Sequence, residues 1–95
     1  ESLNLGDIDT SAITDMSELF DWSKRKDFSG IESWNVSSVT DMSRMFYNCE
    51  NFNQPLNNWD VSSVVNMSEM FRGCEINDKN KPKFTKMDED DEIPF

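Results

Sequence analysis

The sequence predicts an α/β solenoid, a leucine-rich-repeat-like stack of about three strand–turn–short-helix coils of about 25 residues each. Three observations predict it. Residues 34–46 read WNVSSVTDMSRMF and residues 59–71 read WDVSSVVNMSEMF, with nine identities in thirteen positions at an offset of 25. A weaker copy, IDTSAITDMSELF over 8–20, precedes the first by 26 residues and matches it at six positions. Within each copy the apolar residues change period, from alternation to the spacing of a helix.

The first element expected in each copy is a strand. Leu5, Ile31 and Leu56 align, Ile8, Trp34 and Trp59 follow three later, and Thr10, Val36 and Val61 two after those. The alternation Trp59-Asp60-Val61 turns Trp and Val to one face and Asp to the other, as in a half-buried strand. The second element is a short helix. Met42, Met45, Phe46 and Cys49 stand at i, i+3, i+4 and i+7, one stripe of a helix. The stripe recurs as Met67, Met70, Phe71 and Cys74, and as Met16, Leu19, Phe20 and Ser23. Thr40 or Asp41 suits its N-cap, with Thr14 or Asp15 and Asn66 as counterparts, and Asn48 or Gly73 suits its end.

Such a coil cannot bury its stripe alone and needs neighbours. The expected domain covers 1–84, with coils at about 5–30, 31–55 and 56–76 and a C-terminal cap at 77–84. Leu3 and Leu5 open the first rung, while Ile76, Pro82 and Phe84 fold over the last. The acidic stretch 85–95 has no periodicity and reads as a mobile tail. Between Ser23 and Phe28 the first copy carries two more residues than the second, and Lys24, Arg25 and Lys26 bulge there as a compact basic patch.

Nineteen acidic against nine basic side chains give a net charge of −10, which opposes binding to nucleic acid and to an anionic membrane surface. With no His, the commonest general base and metal ligand is missing. No apolar run approaches the ~20 residues of a membrane helix, so direct insertion is not expected. The opening ESLNLGD lacks the basic-then-apolar start of a signal peptide and reads as part of a longer protein.

The outward strand positions form three polar columns: Asp7, Ser33 and Asn58; Asp9, Asn35 and Asp60; Ser11, Ser37 and Ser62. Repeat proteins bind partners on such faces, so these nine residues are the candidate binding site. A plain solvated face is the competing reading. On the binding reading, Asp60→Lys weakens partner binding and leaves thermal unfolding nearly unchanged. Trp34 and Trp59 share a slot with Ile8, which assigns them to the core with Met42, Met45, Phe46, Met67, Met70, Phe71, Cys49 and Cys74. Trp22 stands outside the stripe and is expected to be partly exposed. Two thiols without His make no zinc site, and Cys49 and Cys74 read as reduced, buried thiols. Asp9 and Asp60, two rungs apart at ~9.6 Å, lack the desolvated cleft of a carboxylate pair. No enzyme, cofactor or metal is expected.

Residues 53–74, NQPLNNWDVSSVVNMSEMFRGC, and 34–49, WNVSSVTDMSRMFYNC, resemble the BspA-like surface-protein repeat, found also in mycoplasma-type lipoproteins. The resemblance extends over roughly 5–84; the first copy departs at Ile8, Thr10 and Ser23. It implies a leucine-rich-repeat-like solenoid in a bacterial surface or secreted protein, of a family some of whose members are linked to adhesion to host matrix proteins and to other bacteria, and so a host matrix or cell-surface protein as partner. The expected function is thus a non-enzymatic protein-interaction module acting through the polar strand face. The alternatives are a structural stalk and a secreted scaffold acting on a host protein. The partner expected is a protein, and the chain itself a monomer.

Overall fold

The structure is a computed structural model that describes residues 4–84. Leu3, Met87 and the stretch 85–95 lie outside the described residues. Among those residues there is no α-helix and no strand, so the expected α/β solenoid of strand–turn–helix coils is corrected. Regular structure is confined to three 3-10 turns, Leu5–Asp7, Ile31–Ser33 and Asp78–Asn80. Two isolated parallel bridges, Asp15 to Asp41 and Asp41 to Asn66, tie the three copies side by side.

The passage expected to be helical is a string of tight turns. In the middle copy Met45 N–H donates to Met42 C=O at 3.2 Å and Cys49 N–H to Phe46 C=O at 3.0 Å. The third residue of each turn, Arg44 and then Asn48, has φ of +56° and +54°, the left-handed sign that a type II turn places there. Glu18 and Trp22 in the first copy, and Glu69 and Gly73 in the third, occupy the same places with φ of +59°, +59°, +56° and +77°. A run of four-residue turns turns its first and last residues inward. Its apolar positions therefore also fall at i, i+3, i+4 and i+7, and Met42, Met45, Phe46 and Cys49 are all fully buried.

The helix loses because of what the turns leave free. Alternate amides point out of the ribbon: Met16, Glu18, Phe20 and Trp22 donate to the carbonyls of Asp41, Ser43, Met45 and Tyr47 at 2.7–2.9 Å. Met42, Arg44, Phe46 and Asn48 donate likewise to Asn66, Ser68, Met70 and Arg72 at 2.7–2.9 Å. Copies joined by backbone hydrogen bonds stand ~4.8 Å apart, whereas packed helices need 8–10 Å and spend their amides internally. A non-glycine residue in the left-handed region costs roughly 1–2 kcal/mol; the inter-copy bonds offset it.

The expected strands fail for a local reason. Trp34 is extended, at φ −62° and ψ 139°, but it closes the 3-10 turn Ile31–Ser33, and Asn35 already begins the next turn by accepting from Ser37 N–H at 3.0 Å. Side chains supply the cross-links instead. Trp34 Nε1–H donates to Leu5 C=O at 2.7 Å and Trp59 Nε1–H to Ile31 C=O at 3.2 Å. In the first copy Thr10, at the Val36 and Val61 position, donates its hydroxyl to Asn35 C=O at 3.0 Å.

One short motif recurs through the chain: Asp or Asn, an inward residue, then Ser. At Asp9, Asp15, Asp27, Asn35, Asp41, Asp60 and Asn66 the side-chain oxygen accepts the amide of the serine two residues on, at 2.8–3.1 Å. These are Asx turns. Each one sends its middle residue (Thr10, Met16, Phe28, Val36, Met42, Val61 or Met67) into the core. Asp15, Asp41 and Asn66 thus start turns where helix caps were expected.

Phenylalanines run through the core. Phe46 lies between Phe20 and Phe71 with ring centroids at 5.6 and 5.5 Å and near-parallel planes. It also stacks on Phe52 at 4.0 Å, and Phe52 meets Phe28 edge-on at 4.9 Å. At the C-terminal end Ile76 takes the position of Phe28 and Phe52 and is buried, as is Pro82. Asn53 holds this segment by accepting Asn77 N–H at 2.9 Å and Asn80 Nδ2–H at 3.0 Å.

Candidate functional site

The nine candidate residues of the polar columns do not share a strand face. They sit on turns, and two of the three columns are spent on one another. Asp9 Oδ1 accepts Ser11 Oγ–H at 2.7 Å, Asn35 accepts Ser37 at 2.6 Å, and Asp60 accepts Ser62 at 2.7 Å. Ser33 donates its hydroxyl back to Gly30 C=O at 2.8 Å. Asp7 and Asn58 are exposed.

These bonds fix the charge state. The Ser11 amide, then its hydroxyl, lowers the Asp9 pKa below the usual carboxylate range. At Asp15, Asp27 and Asp60 the serine hydroxyl leads and the amide follows, with the same sign. A carboxyl held ionised suits no general-acid role, which needs a raised pKa.

The columns therefore stabilise the turns, and Asp60→Lys no longer separates binding from folding, because it removes the acceptor of a turn. Asp60→Ala is expected to lower the unfolding midpoint by a few degrees, and Asp60→Asn to restore it, since Asn35 fills the same place with an amide oxygen. The acid dependence follows from the sign of the shifts. A carboxyl with a lower pKa folded than unfolded stabilises the fold above about pH 4 and loses that contribution as pH falls through its folded value. Urea midpoints between pH 6 and pH 2 should fall with acid, less steeply in Asp60→Asn.

Of the assigned core, Trp34, Trp59, Met42, Met45, Phe46, Met67, Met70, Phe71 and Cys49 are buried and Cys74 is half-buried. Both thiols are unbridged. Burial, followed by the neighbouring Cys74, pushes the Cys49 pKa up to about 12. Burial also raises Cys74, whose Sγ–H donates to Phe52 C=O at 3.4 Å. Neither thiol is an activated nucleophile.

The unsatisfied surface lies at the other end of the ribbon. Trp22 is 65% exposed, although its N–H is fixed to Tyr47 C=O at 2.7 Å. Its indole stands edge-on to Tyr47 at 6.0 Å, and the Arg44 guanidinium covers the Tyr47 ring at 4.1 Å. The inserted loop folds in beside it: Ser23 Oγ accepts Arg25 N–H at 3.1 Å, and Arg25 Nε–H donates to Asp27 C=O at 2.6 Å. This bracing leaves Lys24 and Lys26 exposed on either side of Arg25. Trp22, Ser23, Lys24, Lys26, Asn48, Glu50 and Asn51 line a pocket of about 220 Å³. The lining sets an indole, two ammonium groups and two amides beside the Glu50 carboxylate, an apolar face within a wall of mixed charge.

Sequence reasoning singled out Trp22 and the Lys24–Lys26 bulge separately and did not join them. Their convergence with Asn48, Glu50 and Asn51 needs the second copy laid against the first. The available signal was an aromatic outside the apolar stripe immediately before a basic insertion.

Residues 1–90 match the model of a family described as Mycoplasma protein of unknown function, DUF285. No curated protein matches the chain, and no solved structure does.

Proposed function

We propose that this chain, which belongs to that Mycoplasma family, is a non-enzymatic polypeptide-binding module whose contact surface is the pocket beside Trp22. The observation that carries the reading is Trp22 itself. A large indole is 65% exposed at a turn position where the other two copies hold Asn48 and Gly73. It adjoins Lys24 and Lys26, which outnumber the Glu50 carboxylate in the same lining on a chain of net charge −10. Exposed aromatics, tryptophan above all, are frequent anchors of protein interfaces. The resemblance of WDVSSVVNMSEMF to the BspA-like repeat supports placing the parent protein on a bacterial surface or in secretion, with a host matrix or cell-surface protein as partner.

Binding of the isolated chain to a panel of matrix proteins tests the reading. Trp22→Ala and the pair Lys24→Glu, Lys26→Glu should each weaken capture by about 10- to 30-fold, with the unfolding midpoint within a few degrees of the parent. Capture that survives both changes rejects the pocket. A structural spacer is the second reading, favoured by the polar columns, whose hydrogen bonds are spent within their own turns; a native chain that captures nothing selects it.

A further inference from the structure

The two ends of the ribbon are unequal. In the middle copy Trp34 is 7% exposed and Val39 and Met45 are fully buried; in the third copy Trp59 is 6% exposed, Val64 1% and Met70 0%. Their first-copy counterparts are open, with Ile8 at 37%, Ile13 at 37% and Leu19 at 47%. The backbone shows the same asymmetry. The carbonyls of Asp41, Ser43, Met45 and Tyr47 each accept an amide from the copy before, as do those of Asn66, Ser68, Met70 and Arg72. Among the described residues, the equivalent carbonyls of Asp15, Ser17, Leu19 and Asp21 accept none. The first copy thus presents a row of alternate acceptors flanked by uncovered apolar side chains, an edge open to pairing.

We infer that this edge, residues 13–21, docks a partner polypeptide segment of the same turn-ribbon type, laid parallel to it and donating every second amide. The occupant is defined by an interface that the molecule already makes twice. In both cases a ribbon donates four alternate amides at 2.7–2.9 Å to the next ribbon and stacks a phenylalanine on its neighbour at about 5.5 Å. Continuing that pattern past the first copy calls for a segment with donors opposite Asp15, Ser17, Leu19 and Asp21, apolar side chains over Ile13 and Leu19, and an aromatic ring over Phe20. A strand added by backbone bonds takes affinity from its amides and register from its side chains.

The probe is a synthetic peptide with the sequence of residues 38–49, SVTDMSRMFYNC, with its cysteine replaced by serine. Titrated into the intact chain and followed by amide chemical shifts, it should bind with a dissociation constant on the order of 0.1–1 mM, since a free peptide must order itself on docking. The shifts should be confined to residues 8–22. N-methylation of the peptide at the Arg44 and Phe46 positions, and Leu19→Glu in the chain, should each weaken binding at least about 10-fold. Leu19 is about half exposed, so the variant keeps the fold, and an unchanged unfolding midpoint verifies this. Equal binding by a scrambled peptide, an N-methyl peptide that binds as well as the parent, or shifts outside the first copy would each overturn the inference. So would no binding at millimolar peptide. Self-association of the chain alone, abolished by Leu19→Glu, would replace the partner segment with a second copy.

Discussion

Phe46→Ala should lower the free energy of unfolding by about 3–5 kcal/mol, the largest loss expected of any single truncation in this chain. Phe46 is fully buried and touches the rings of Phe20, Phe71 and Phe52 at 5.6, 5.5 and 4.0 Å. Removing it takes away its own transfer energy, leaves a cavity between copies, and deletes ring contacts worth roughly 0.5–1.5 kcal/mol each beyond burial. The neighbours cannot collapse to fill the space, because inter-copy hydrogen bonds on Arg44, Phe46 and Asn48 hold the backbone spacing. A domain of this size should lose roughly 12 °C or more in its midpoint. Urea unfolding followed by tryptophan fluorescence reads the change, and Phe46→Leu should lose less. A loss below about 1 kcal/mol would mean that the rings do not carry the contact between copies.

Gly30→Ala is the second. Gly30 has φ +96°, and a Cβ there would fall on the Gly6 backbone nitrogen and the Asn4 side chain, and 2.9 Å from Gly6 Cα. The left-handed penalty is roughly 1–2 kcal/mol and overpacking adds roughly 1–3 kcal/mol, for a total of about 2–5 kcal/mol. The obstruction is backbone and cannot rotate away. Gly6→Ala is the internal control: its added carbon would meet Asn4 Oδ1 at 3.1 Å and Gly30 Cα at 3.3 Å, so the neighbours need give by only tenths of an ångström. Thermal unfolding of both variants should separate them clearly. Equal midpoints would show that the close approach of Gly30 to Gly6 is not a constraint on the fold.

The contrast between these glycines was not legible in the sequence, where Gly30 stands just before and Gly6 just after an apolar residue of the same column and neither neighbour betrays the sign of φ. Other features were present but read in the wrong frame. The stripe Met42, Met45, Phe46, Cys49 suits a 3.6-residue helix and a four-residue run of turns equally, because two turns differ by less than one residue in phase. Glu18, Arg44 and Glu69 gave no hint of a left-handed backbone, being ordinary helix formers. The serines after Asp9, Asn35 and Asp60 looked like one column of a binding face. Their constant spacing of two from an Asp or Asn is the signature of an Asx turn, and it also marks Asp15, Asp27, Asp41 and Asn66.

By itself the sequence determined which side chains of the second and third copies look inward, because burial of apolar surface depends on residue type and spacing and hardly at all on backbone hydrogen bonding; in the first copy Ile8 and Leu19, on the same pattern, stay 37% and 47% exposed. Tertiary structure alone decided the backbone that carries them. A local helix satisfies the amides of Glu18, Arg44 and Phe46 within one copy, whereas the turn ribbon leaves them for carbonyls about 25 residues away. That choice is made by the free energy of a neighbouring copy, which no local propensity contains. The same dependence created the Trp22 pocket, whose walls come from two copies, and left the first copy's edge with acceptors that nothing described here fills.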